Sequence, residues 1–394
     1  MLESQLLTIP AQGVSEVFRS TSNQQDRKII LGILVDQAAW GDVQWQNAVR
    51  QMVAGTGILD RWLADLRGGS VVRRVRAATY LGSIRDPSVT GALVGAAEDH
   101  SRLVLLAVAI SLGRLREPRG VEGLIRIARH LSRSVPDLTL AAALAACAET
   151  QPALLVELLH ARESRLRIIA SWALSEIADR SVLQPLLEIT EDPDPEVRAK
   201  SARALARLHE PESVEALSCL ARDPVWFVRI RALDALGQLG EVAGETAALR
   251  GLEDSSREVR ARAAFALRKI RGMKGEVAAQ VLANASRRGF NSLLSEWDRN
   301  GFLWELVKGL SIGNPERYYE SVKTVRMLIE AEMIHALANF ILVFPDLKVR
   351  LRLVRLFGES ESAGVIAEVN AIARSPACHR LVARKIAREF PATP

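Results

Sequence analysis

Aromatic residues make up only 5% of this chain of 394 residues, and cysteines are scarcer still. Cys147, Cys219 and Cys378 stand far apart, are odd in number and form no CxxC pair. That pattern argues against a disulfide framework and against a structural zinc site, and it fits a reducing compartment. Cys147 and Cys219 are expected as small core residues on helices. Long hydrophobic runs are missing too. The longest, Leu138 to Ala148 (LTLAAALAACA), falls short of the roughly 20 residues that span a bilayer. Met1 to Pro10 has no basic start followed by an apolar stretch, so no signal peptide is expected. Long β-branched runs with period-two alternation are also scarce, which argues against a sheet.

What is present favours helix. Ala, Leu, Val and Arg dominate, a composition of good helix formers and small core residues. Hydrophobic residues reach 48%, enough for a large core. The net charge of +6 permits an acidic partner without requiring one.

Internal repetition is the strongest signal. A pattern V-R-x-x-x-A-x-x-(A)-L-(G)-x-L recurs, and its reference leucine falls at Leu81, Leu112, Leu144, Leu174, Leu205, Leu236 and Leu267, spaced 31, 32, 30, 31, 31 and 31 residues apart. Three units show it best: DPDPEVRAKSARALARLHEPESVEALSCLAR, DPVWFVRIRALDALGQLGEVAGETAALRGLE and DSSREVRARAAFALRKIRGMKGEVAAQVLAN. Each opens with Asp and a turn, continues with a helix at the Val-Arg pair, turns again, and ends in a second amphipathic helix. One such hairpin cannot bury its apolar face alone, so stacked neighbours must complete the core.

This pattern resembles the HEAT repeat, in the short variety also seen in phycobilin lyases. The resemblance covers residues 68–285, with a further match at PDLKVRLRLVRLFGE, where Phe357 takes the leucine position and Arg350 the arginine position. It implies an all-α, right-handed solenoid of stacked helical hairpins, a HEAT-like superhelix, and is nearly silent on function. The expected organisation is an N-terminal helical cap over 1–67, regular repeats over 68–285 and a divergent helical section over 286–394. The cap region carries Trp40, Trp45 and Trp62. The divergent section carries Phe290, Trp297, Phe302, Trp304, Tyr318 and Tyr319, read as core because aromatics at helical spacing usually pack inward.

Asp192, Asp223 and Asp254 lie one repeat apart just ahead of the Val-Arg helix, and Arg198, Arg229 and Arg260 share that spacing. An aspartate there can cap the following helix or meet an arginine of the adjacent repeat. Both sets are read as a structural ladder, since a residue with a twin in every good repeat is a poor catalytic candidate.

The resemblance implies that the Val-Arg helix lines the concave side. With the reference leucine (L) in the core, positions L−5, L−2 and L+2 point nearly the opposite way. Repeats two to four then present Ala107, Ile110, Arg114, Thr139, Ala142, Ala146, Ile169, Trp172 and Glu176, mostly apolar. Repeats five to seven present Lys200, Arg203, Arg207, Arg231, Asp234, Gln238, Arg262, Phe265 and Lys269, mostly basic. The expected partner is therefore a protein segment, a helix or extended peptide with an apolar and an acidic part. Its contact residues are Ile110, Ile169, Trp172, Glu176, Lys200, Arg203, Arg207, Arg231, Arg262, Phe265 and Lys269, with Trp226 and Phe227 as a weaker second candidate.

Signatures of catalysis are absent. There is no P-loop, dinucleotide-binding, nucleophile-elbow or H-E-x-x-H motif. Deoxyhypusine hydroxylase, a catalytic HEAT family, uses several His-Glu pairs to hold two irons, and only His209-Glu210 occurs here. His100, His130 and His160 are 30 residues apart, but hairpins stacked about 10 Å apart cannot bring all three to one ion. Trp172 and Glu176 beside Arg203 and Arg207 share residue types with the cleft of HEAT-like alkylpurine DNA glycosylases. The reading is a cytoplasmic interaction scaffold without catalytic residues, metal or cofactor. Nucleic-acid binding through the basic stripe is the alternative, and a lyase or glycosylase the third.

Overall fold

The computed structural model describes residues 13–21, 23, 27, 29–35, 43–129, 135–311 and 313–390. Trp40, His130 and the segment Met1 to Pro10 lie outside them. All regular structure among the described residues is helical, and the chain is an all-α solenoid of helical hairpins. It divides into two compact units, Met1–His209 and Glu210–Pro394, each described by itself.

In the first unit α1 (Val14–Ser20), α2 (Val43–Gly55) and α3 (Ile58–Gly68) precede the repeats. The Val-Arg helices are then α4 (Val71–Ser83), α6 (Arg102–Leu115), α8 (Asp137–Ala148), α10 (Ser164–Ile177) and α12 (Pro195–Leu208). Between them come the shorter α5 (Thr90–Gly95), α7 (Gly120–Arg129), α9 (Ala153–Leu159) and α11 (Leu183–Glu188). Each of α4, α6, α8, α10 and α12 packs beside the next in that series. Trp62 of α3 is buried against Tyr80 of α4, with ring centroids 5.1 Å apart.

The second unit runs α13 (Ser213–Leu220), α14 (Trp226–Leu239), α15 (Glu245–Gly251), α16 (Arg257–Arg271), α17 (Gly275–Asn284), α18 (Arg287–Arg299), α19 (Phe302–Lys308) and α20 (Pro315–Glu330). It ends with α21 (Ile334–Val343), α22 (Leu347–Gly358), α23 (Ala363–Ala373) and α24 (Arg380–Glu389). Here α14, α16 and α18 stack in sequence, and one apolar core runs from Leu233 to Phe390. Phe290, Trp297 and Phe302 belong to that core, whereas Trp304 and Tyr319 are exposed. The aromatic cluster is thus split between core and surface.

All seven reference leucines are buried to the point of almost no exposure, and each contributes roughly 2 kcal/mol of burial energy. The small residues beside them set how closely the helices approach. A Cβ on Gly82 would sit 2.6 Å from the Ser111 Cα, and one on Gly113 would sit 3.0 Å from the Ala143 Cα. The Ser111 hydroxyl, at that crossing, donates to the Ala78 carbonyl at 2.8 Å. Each Val-Arg helix also needs a sharp stop so that the chain can reverse. Four residues after the leucine, Arg85, Arg116, Ala178, His209 and Gly240 all take positive φ, between 49° and 70°. This is the left-handed residue that closes a helix C-terminus.

The Asp and Arg positions form a repeating joint. Arg229 donates through Nε and Nη2 to Asp254 Oδ2 and Oδ1 at 2.7 and 2.8 Å, and through Nη1 to the Asp223 carbonyl at 2.9 Å. The pairs Arg74–Asp99 and Arg167–Asp192 have the same form, again 25 residues apart. Arg198 and Arg260 donate Nη1 to the carbonyls of Asp192 and Asp254, each at 2.8 Å. The aspartates do not cap the helix itself. Asp192, Asp223 and Asp254 accept from the N–H two residues on, at Asp194, Val225 and Ser256, which are the N-cap positions. An aspartate side chain reaches two residues along its own backbone, so it closes the turn and leaves the cap of α12 to Asp194.

Cys147 is buried, and desolvation pushes its thiol up to about 12. Cys219 is exposed, contrary to the sequence expectation. Val214, Leu217 and Leu220 form the buried stripe of α13, and Cys219 is two residues past Leu217, about 200° around the helix.

Candidate functional site

In the first unit, α10 and α12 bring four of the expected contact residues together with Glu176. Lys200 Nζ stands 4.1 Å from the centroid of the Trp172 ring, and the Arg203 guanidinium 5.7 Å from it. Arg203 Nη2 and Arg207 Nη2 donate to the two oxygens of Glu176 at 3.2 and 3.1 Å. Arg207 Nε also donates to the Ser175 carbonyl at 3.1 Å. The α10–α12 joint is therefore a cation–aromatic and ion-pair cluster, and Glu176 partly neutralises Arg203 and Arg207 at the start of the mostly basic stretch. Lys200 over Trp172 buries the face of the indole and leaves charge at its rim, a surface suited to an acidic group beside an apolar one.

Ile169 does not join this face. It is fully buried, because α10 is flanked on both sides by α8 and α12. A Val-Arg helix with two lateral neighbours exposes a strip narrower than the half-cylinder assumed in a helical projection, and an apolar L−5 residue falls into the flank. Ala107, the L−5 residue of α6, is buried for the same reason. Ile110 is 40% exposed, and two leucines missed in the sequence join it, Leu103 of α6 at 63% and Leu138 of α8 at 58%. Leu103 is L−9, which projects directly opposite the reference leucine, so extending the projection by one turn would have found it. With exposed Ala142, these residues make an apolar surface over α6 and α8, which pack side by side.

In the second unit, Asp234 of α14 faces Arg262 of α16 at 2.8 Å and Arg231 at 3.8 Å. Burial pushes its carboxyl above the ordinary range, with the two arginines opposing. The Phe265 ring is surrounded by Arg262, Arg268 and Lys269 at 5.3, 5.1 and 5.8 Å from its centroid. Arg231 and Lys269 are exposed. Trp226 is half-exposed at the start of α14 and meets Phe227 edge-on at 6.0 Å.

His100 and His160 are exposed residues between helices. Among the described residues no group of three His, Cys, Asp or Glu side chains is arranged to hold a metal ion, and no helix is long and apolar enough to cross a membrane.

A family model described as HEAT repeats matches residues 59–146 and 151–237. No curated protein sequence matches the chain. Among solved structures, an engineered protein is similar at 17% identity over 98% of this chain and 100% of its own, with a TM-score of 0.34. Human deoxyhypusine hydroxylase in complex with glycerol is similar at 16% identity over 68% and 96%, with a TM-score of 0.28. The complex of CpcE and CpcF of phycocyanin lyase from Nostoc sp. PCC7120 is similar at 21% identity over 60% and 94%, with a TM-score of 0.30. With seven buried leucines in one register, paired helices at each and two stretches matched by the family, the chain carries HEAT repeats over residues 59–146 and 151–237.

Proposed function

We propose that the chain is an interaction scaffold, not an enzyme, and that the first unit holds a segment of a partner protein on the exposed strip of the Val-Arg helices α6, α8, α10 and α12, the side expected to be concave. The observation that carries this reading is the sequence of surfaces on neighbouring helices. Exposed Leu103, Ile110 and Leu138 give way to Trp172 under Lys200 and Arg203. A partner segment with an apolar part and an acidic part matches that order. Apolar side chains would cover the leucines, and a carboxylate would compete with Glu176 for Arg203 and Arg207. Aromatic and arginine anchors of this kind carry most of the energy in protein interfaces.

The test is affinity capture from nuclease-treated native lysate, with the wild type beside Trp172→Ala/Arg203→Ala and Leu103→Asp/Ile110→Asp variants of unchanged melting temperature. The captured protein is then dissected to its binding segment and titrated. A segment with both characters that loses affinity in both variants supports the proposal. Equal capture by all three forms, or recovery of nucleic acid alone before nuclease treatment, overturns it.

A further inference from the structure

Two neighbouring helices of the second unit carry a marked excess of positive charge. α22 (LKVRLRLVRLFG) and α24 (RLVARKIARE) hold eight Lys and Arg residues and one acid, Glu389. α20 is balanced by comparison, its three cations set against Glu316, Glu320 and Glu330. The three helices pack in the order α20, α22, α24. A Cβ on Gly358 would stand 3.1 Å from the Glu389 Cβ, so α22 and α24 lie close together. Val349, Leu353 and Val354 of α22 and Val382 and Ile386 of α24 are buried, which leaves the charged sides facing water. Lys348, Arg352 and Arg355 stand at i, i+4 and i+7 along α22, and Arg380, Arg384 and Arg388 at i, i+4 and i+8 along α24. Residues so spaced share one side of a helix, and each four-residue step advances about 6 Å along its axis.

These rows are distinct from the arginine ladder. The ladder arginine of α22 is Arg350, which donates to the Phe344 carbonyl. Lys348, Arg355, Arg380, Arg384 and Arg388 are exposed, and their side chains form no hydrogen bond or ion pair among the described residues. Arg352 is held in place: it donates Nη1 to the Leu310 carbonyl at 2.5 Å, and its guanidinium stands 5.9 Å from the centroid of the Tyr318 ring. The acids close to the rows are few. Glu389 pairs with Lys385 and feels Arg355 and Arg388. Glu359 pairs with Arg326 at 2.8 Å, and Glu330 of α20 is exposed. Asp346 accepts from the Lys348 N–H at 2.8 Å and caps α22. The rows keep a clear excess of positive charge.

Tyr319 adds an aromatic surface at 68% exposure. It follows Tyr318, whose ring meets Arg352, so it stands beside the α22 row. A cleft of about 370 Å³ runs along α20 past Tyr319, Lys323 and Arg326, with room for a flat ring against the tyrosine. Neither α20 nor α22 exposes a large aliphatic side chain, so a protein segment would find no aliphatic anchor there. We infer that the exposed side of α20, α22 and α24 binds a single-stranded nucleic acid, with phosphodiesters along the two cation rows and a base stacked on Tyr319. A strand with one charge per nucleotide matches rows of separately hydrated cations and gains from counterion release. An aromatic platform beside such rows takes a base of any sequence. The face shares no residue with the Trp172 surface of the first unit, so mutation separates the two binding functions.

The experiment titrates the full chain into a fluorescein-labelled oligothymidylate about twelve nucleotides long and follows anisotropy at several salt concentrations. Binding is expected to saturate and to weaken with salt by about 0.7 in log–log slope for each phosphate contacted. Arg384→Ala/Arg388→Ala and Lys348→Ala/Arg355→Ala, all exposed changes, keep the melting temperature, weaken binding and lower that slope by about 1.4, the share of two contacts. Tyr319→Ala weakens binding about fivefold or more with the slope unchanged, and Tyr319→Phe retains it. Arg73→Ala/Arg222→Ala removes the same charge from exposed sites elsewhere and leaves binding near that of the wild type. Unsaturable binding overturns the inference, and so does a loss in the Arg73/Arg222 variant equal to that in the row variants. Undiminished binding in Tyr319→Ala overturns the stacking. Tighter binding of a matched duplex, or of an oligo-aspartate of equal length, overturns the single-strand assignment. The Trp172→Ala/Arg203→Ala variant binds the oligonucleotide as the wild type does, so the two proposals fail separately.

Discussion

Arg167 and Asp192 meet through two parallel hydrogen bonds, Nε to Oδ2 at 2.7 Å and Nη2 to Oδ1 at 2.9 Å. The pair is nearly buried and joins α10 to the turn that starts the next repeat. Arg167 also donates Nη1 to the Ala161 carbonyl at 2.9 Å, so one guanidinium ties its own turn to the following one. The aspartate accepts a third bond from the Asp194 N–H at 2.8 Å. Every donor and acceptor edge in the joint has a use, which is the condition under which a buried ion pair holds its place.

Asp192→Ala should therefore cost about 3 kcal/mol, because it strands a buried guanidinium. Replacing both partners, Arg167→Met with Asp192→Leu, should recover more than half of that loss. Urea unfolding of the wild type and the two variants checks this, and a double variant as unstable as the single one would contradict it.

Two aspartates of the second unit should respond to pH in opposite senses. Burial acts to raise the Asp254 carboxyl, but hydrogen bonds from Arg229 and the Ser256 N–H and the charges of Arg229 and Arg260 prevail and hold it below the ordinary range. Its contribution is full above the unfolded value of about 4 and is lost as the pH falls through the folded value. Burial raises Asp234 despite Arg262 and Arg231. Its contribution is present below the unfolded value and lost as the pH rises through the folded one. Asp254→Asn should thus cost about 2 kcal/mol at neutral pH and progressively less in acid. Asp234→Asn should gain stability relative to wild type as the pH rises, measured by unfolding across the acid range.

Gly82 touches Ser111 so closely that a Cβ would meet its Cα at 2.6 Å and its Cβ at 2.4 Å. Gly82→Val should cost at least about 3 kcal/mol by forcing α4 and α6 apart. Gly91→Val, where nothing stands within 4 Å, should leave stability unchanged or raise it by less than about 1 kcal/mol, since valine is the better helix former. Thermal unfolding of the pair separates packing from propensity.

Gly240 closes α14 with φ at 70° and no neighbour near its missing Cβ. Gly240→Ala should lower stability by about 1 kcal/mol through backbone strain alone. The converse change His209→Gly, at the matching position with φ at 56°, should be neutral or slightly stabilising, since relief of strain is offset by a more flexible unfolded chain.

Glu176 is gripped by Arg203 and Arg207 on a surface open to water. Glu176→Gln should change stability by less than about 1 kcal/mol. It should tighten binding of an acidic partner segment and steepen the salt dependence, because two guanidinium groups lose their resident carboxylate. Titration at two salt concentrations reads this out.

The reference leucines, the small residues beside them and the one-repeat spacing of the Asp and Arg sets were legible in the sequence, because each reflects a local rule repeated at a fixed period. Helix periodicity decides which side of α4 or α14 is apolar before any neighbour is present. The tertiary structure alone decided what those residues meet. Ile169 left the outer face because two flanking helices close over it, and Cys219 stayed outside because only one stripe of its short helix has a neighbour. Glu176 became a partner of Arg203 and Arg207 only when α10 and α12 lay side by side. The burial of the Arg260 Nε is likewise a property of stacked repeats. A single helix has a fixed angular pattern, but the width of its exposed strip and the partners of its charges depend on the helices packed against it.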